Sequence, residues 1–94
     1  MSPKNFKKLR IIRTKLDKLD NSLIKLIKIR TSLVKDVLKL KTSKKEIVDK
    51  KRIKLILKNV KNKSIKLKID PRITDRIWKN MIQAYIEFEK RNFK

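Results

Sequence analysis

LIKIRTSL, residues 26–33, places an arginine where the surrounding spacing asks for a leucine. Counting outward, Leu9, Ile12, Leu16, Leu19, Leu23, Leu26, Arg30, Leu33, Val37 and Leu40 follow one another at intervals of three and four, the signature of one apolar helix seam. Arg30 sits inside that seam as a permanent cation, and burying an unpaired charge is costly. Either the arginine sets the register of a coiled coil, as polar seam residues can, or it has a ligand.

The composition restricts the chemistry. The chain has 94 residues with no Gly and no Cys, and it contains no His. One domain, residues 1–94, is expected. Without Cys there are no disulfides, thiolate nucleophiles or cysteine metal sites, and without His the commonest base and metal ligand is missing. Phosphate-cradling loops of the P-loop or dinucleotide type need glycine for close backbone approach and are excluded. The longest unbroken aliphatic run is Leu55-Ile56-Leu57, and the opening MSPKNFKK has charge with no apolar run behind it. No signal peptide or membrane span is expected, and a cytoplasmic location follows.

A net charge of +21 suggests an anionic partner, with nucleic acid as the default. The distribution weakens that reading. Lysines outnumber arginines 23 to 7 and are spread along the chain, whereas nucleic-acid readers concentrate arginines and expose stacking aromatics on one face. A basic helical nucleic-acid-binding protein is therefore kept as a lesser alternative. The arginines are the more informative cations, because a lysine run is usually a solvated face.

The pattern predicts an all-α chain of three helices and no strands. The first runs from about Leu9 to Leu40, with Pro3 tolerable in an opening turn, and Thr42-Ser43 begins a short connection. The second follows Asp49 as N-cap, with Ile53, Leu55, Ile56, Leu57 and Val60 as its apolar residues; its end, in KNKSIKLK, is undecided between helix and loop. The third opens with Asp70 as N-cap and Pro71 at the first helical position, and Ile73, Ile77, Met81 or Ile82, Tyr85 and Phe88 supply its face. A first helix of roughly 36 residues would be about 54 Å long, against a radius of gyration of about 12–13 Å for a compact domain of this size. Its seam needs the same helix of a second copy, which predicts an intertwined helical homodimer.

Arg13, Arg30 and Lys41 extend the argument. Arg30 and Lys41 are 11 residues apart, close to a whole number of turns, and can reach over a shared cavity. Arg13 lies about 25 Å from Arg30 along the same axis, so it could join them only from an antiparallel partner. Arg52 and the Tyr85/Glu89 edge of the third helix would close the site. Such a cluster of cations suits a small molecule carrying two carboxylates.

These residues resemble a known family. IRTKLDKLDNSLIKLIKIRTSLVKDVLKLK, then VDKKRI, then DRIWKNMIQAYIEFEK, are similar to the all-helical class of chorismate mutases from about Leu9 to Lys90. The family pattern has an Arg ahead of an IDxID-like segment, here Arg13 before LDKLD. A second Arg follows ten residues beyond the last Asp, a Lys eleven later, and a D-x-x-R opens helix two. Arg30, Lys41, Asp49 and Arg52 stand in those places.

The resemblance implies the rearrangement of chorismate to prephenate on the route to phenylalanine and tyrosine, a unimolecular pericyclic shift that needs no cofactor. Two active sites per homodimer are implied, each borrowing Arg13 from the other subunit. Arg30 and Arg13 would clamp carboxylates, and Lys41 would donate to a carboxylate and the ether oxygen. Arg52 would add positive potential, Asp49 would shape the pocket at the ring hydroxyl, and Tyr85 and Glu89 would face the substrate from helix three. Ile53 after Arg52, and Tyr85, also resemble the isochorismate-pyruvate lyases, which release salicylate and pyruvate from the same scaffold. Glu89 stands where Gln often meets the ether oxygen. As a carboxylate it has no hydrogen to donate, so only its protonated form would help, and turnover is expected to rise below neutral pH.

Overall fold

The computed structural model describes residues 1–94 and is all helical. Its elements are α1 (Pro3–Leu40), a 3₁₀ turn (Lys44–Glu46), α2 (Lys50–Lys66) and α3 (Pro71–Asn92). Each boundary has a local cause. Ser2 caps α1: its Oγ accepts from the Asn5 N–H at 3.2 Å, and Pro3 takes the first helical position, where a missing N–H costs nothing. Asp49 caps α2 by accepting from the Arg52 N–H at 3.0 Å. Asp70 caps α3 by accepting from the Arg72 N–H at 3.0 Å, ahead of Pro71. Both of these caps agree with the expectation from sequence.

The undecided segment after Val60 is helix to Lys66 and then a tight stop. The Ile69 N–H donates to the Ser64 carbonyl at 2.9 Å and the Lys68 N–H to the Ile65 carbonyl at 3.1 Å. This is the Schellman pattern, whose left-handed position is usually glycine. Here Lys68 occupies it at φ 58°, because the chain has no glycine to put there. A side chain with a Cβ is held in that region at a cost of about 1 kcal/mol.

The chain divides into two compact units, Met1–Val34 and Lys35–Lys94. The first is a single run of helix, and α1 has no buried residue along its whole length. Its seam lies open: Leu16 is 51% exposed, Leu19 57% and Leu23 49%. In the second unit α2 and α3 pack against one another, with Ile47 and Ile86 as the buried apolar residues. Ile53, Ile56 and Val60 of α2 are half-buried. The hydroxyls of Ser64 and Thr74 meet at 2.6 Å between the two helices, and Ser64 also donates to the Val60 carbonyl at 2.6 Å.

The inward side of α3 agrees with the expected one at Met81, Ile82, Tyr85 and Phe88, which are half-buried, and differs in its N-terminal half. Thr74, Trp78, Met81, Ile82 and Tyr85 are half-buried, and Ile86 and Glu89 are buried, whereas Ile73 and Ile77 are exposed. Hydrophobicity alone put Ile73 and Ile77 inside. In the N-terminal half of α3, Thr74 and not Ile73 faces α2, its hydroxyl meeting that of Ser64.

Candidate active site

Lys41 is the first residue beyond α1, its N–H bonded back to the Leu38 carbonyl at 3.1 Å. From there its Nζ donates to Oε1 of Glu89 at 2.9 Å. The two side chains are 15% and 7% exposed. The buried line of α3 carries Glu89 inward one turn after Ile86, and a carboxylate placed there costs several kcal/mol unless a cation meets it. Lys41 supplies that cation, so two of the expected site residues are in contact.

Asp49 owes its position to the capping role. One carboxylate oxygen is held at the Arg52 backbone, so the D-x-x-R spacing has a structural reason as the N-cap and third position of a helix. The Arg52 side chain itself is exposed. Lys41 and Asp49 line one hollow of about 510 Å³ together with Glu46, Val48, Lys50 and Lys51. Tyr85 is half-buried on α3 one turn before Glu89.

Glu46 belongs to this hollow and sequence reasoning passed it over. Its Oε1 accepts from the Thr42 hydroxyl at 2.6 Å and from the Thr42 N–H at 3.2 Å. These bonds, the hydroxyl first, hold its carboxyl below the usual carboxylate value. The contact closes the connection that carries Lys41 at one end and Asp49 at the other. The S-x-x-E spelling of Ser43 to Glu46 is a capping-box signal that could have drawn attention to it, although Thr42 rather than Ser43 is the main partner.

Arg13 and Arg30 lie in the other unit, Met1–Val34. Arg30 is half-buried and Arg13 exposed. Arg13 borders a hollow of about 350 Å³ with Phe6, Leu9, Arg10, Thr14 and Asp17. Within α1 the two arginines are separated by about 25 Å of helix, so one chain does not bring them together.

Comparison with curated proteins and with solved structures gives no match. A family model does match, over residues 12–90, and that span takes in α2, nearly all of α3 and every residue from Arg13 to Glu89 discussed above. With three helices, no strand, and a match over most of its length, the chain belongs to the chorismate mutase type II family.

Proposed function

We propose that the chain catalyses the rearrangement of chorismate to prephenate as an intertwined homodimer, residues 1–94 forming one catalytic module per subunit. The observation that carries this reading is the placement of Lys41 and Asp49 around one hollow, with Glu89 against the lysine, in a chain of this family. The reaction breaks one C–O bond and forms one C–C bond within a single molecule. It requires a dianion to be held in a chair-like conformer and the charge growing on its ether oxygen to be stabilised.

Arg30 and Arg13 of the partner subunit clamp the carboxylates by paired N–H donation, which suits the planar guanidinium. Lys41 donates to a carboxylate and the ether oxygen. Arg52 adds positive potential, Asp49 and Tyr85 shape the pocket, and Glu89 faces the ether oxygen from α3 beside Lys41. The seam arginine is then a ligand clamp whose charge the substrate compensates.

The dimer is supported by α1, whose leucines and isoleucines stay about half exposed from Ile12 to Leu33. Burying apolar surface contributes about 25 cal/mol per Å², and an antiparallel copy of the same helix would cover this stripe and carry Arg13 toward Arg30. No helix is long and apolar enough to cross a membrane, and a cytoplasmic enzyme is the reading adopted here.

The test is to incubate the purified protein separately with chorismate and isochorismate and to identify the products. Prephenate from chorismate supports the proposal. Salicylate and pyruvate from isochorismate, with chorismate unchanged, would replace the mutase by a lyase on the same scaffold.

A further inference from the structure

Basic residues are spread along the chain, and α2 carries them most densely. Eight of its 17 residues are Lys or Arg and none is Asp or Glu. At 100° per residue, Lys50, Lys61, Lys54, Lys58 and Lys51 fall in that order within an arc of about 100°. Between positions 50 and 61 every residue on that arc is lysine, and all five are exposed. None takes part in an ion pair: Asp70 is engaged by Arg72 and Asp75 by Lys79. On the other side of the helix, Ile53, Ile56 and Val60 are half-buried where α2 packs against α3.

Lysines three and four apart on one helix face repel one another. No ion pair relieves this repulsion on α2, and a polyanion laid along the stripe would. The five ammonium groups span about 16 Å of helix, long enough to meet several successive phosphates.

The absences on the arc narrow the partner. A membrane-surface helix needs a continuous apolar face beside its cations to enter the acyl boundary; here only Leu55 beside the stripe and Ile65 at its end are exposed, while Ile53, Ile56 and Val60 are turned to α3. Base readout needs arginine forks or stacking aromatics, and the arc has neither. We propose that this stripe binds the phosphate backbone of nucleic acid without regard to sequence; its Lys50 and Lys51 end borders the hollow of the catalytic reading, and Lys54, Lys58 and Lys61 lie outside it. Lysine serves such contacts as a point charge and needs no fixed orientation.

The test uses the full chain and a fluorescently labelled 20-nucleotide uridine RNA, read by anisotropy between 50 and 200 mM salt. Five phosphate contacts predict a slope of log affinity against log salt near −3.5, a loss of about 100-fold across that range. An adenosine RNA of the same length should bind equally. The combined Lys54→Gln, Lys58→Gln and Lys61→Gln variant should lower the slope by about 2. The combined Lys18→Gln, Lys25→Gln and Lys28→Gln variant, which removes equal charge from α1, should leave it unchanged. If the α2 triple variant loses its helical circular dichroism, Lys58→Gln alone should still lower the slope by about 0.7. The proposal is overturned by no binding at 50 mM salt, by equal losses in the two triple variants, or by tighter binding to phosphatidylserine vesicles than to either RNA. None of these readouts depends on chorismate turnover.

Discussion

Glu89 places Oε1 2.9 Å from the ammonium of Lys41, 48 positions away in sequence, in a largely buried contact. The chain thus supplies its own anion to a lysine that the proposed reaction uses on a substrate carboxylate. An incoming dianion must compete with Glu89 for that lysine.

Glu89→Gln removes the competing charge and supplies a permanent N–H donor. The variant should bind substrate more tightly, with KM lowered several-fold. An unchanged KM would show that Glu89 serves only to hold Lys41.

Arg13→Ala and Arg30→Ala should each lower kcat/KM by about 100-fold or more, the scale for removing one preorganised donor. Mixing the two variants and allowing subunits to exchange should restore about a quarter of wild-type activity, since half the dimers are then mixed and each has one intact site. Light scattering should give twice the chain mass. An active monomer, or exchange of subunits without recovery of activity, would remove the shared site.

Lys68→Gly should stabilise the fold. Glycine takes φ 58° without the clash that a Cβ brings, and the two backbone bonds that stop α2 stay in place. The gain should be about 0.5–1 kcal/mol after the larger entropy of glycine in the unfolded chain is subtracted. That corresponds to a few degrees in Tm by calorimetry. A lower Tm would mean that the Lys68 side chain contributes more than its backbone strain costs.

Asp70 and Glu46 should both weaken the fold on acidification. The Arg72 side chain, and then its N–H, hold the Asp70 carboxyl below its usual value, and the Thr42 hydroxyl does the same for Glu46. The folded chain therefore binds these protons less readily than the unfolded one. The contribution is present above the unfolded carboxylate value of about 4 and is lost as pH falls through the lower, folded value. Asp70→Asn and Glu46→Gln should each flatten the acid limb of Tm against pH, and an unaltered limb would place the acid sensitivity elsewhere.

What was legible in the sequence was what neighbouring residues decide among themselves. The seam from Leu9 to Leu40, the caps at Asp49 and Asp70, and Pro71 at the start of α3 depend on helical periodicity and on side chains reaching backbone groups two or three residues away. The number and order of helices followed from these, as did the exclusion of glycine- and cysteine-dependent chemistry. Tertiary structure decided the rest. Periodicity defines a stripe but not which edge of it turns inward, so Ile73 and Ile77 lie exposed while Thr74 meets Ser64 of α2. The stop of α2 at Lys68 had no glycine to announce it, and only the carbonyls of Ser64 and Ile65 reveal it. Glu89 reads as an ordinary charged residue near the end of a helix until α3 turns it inward against Lys41, because burial is a property of the packed neighbours and not of the residue.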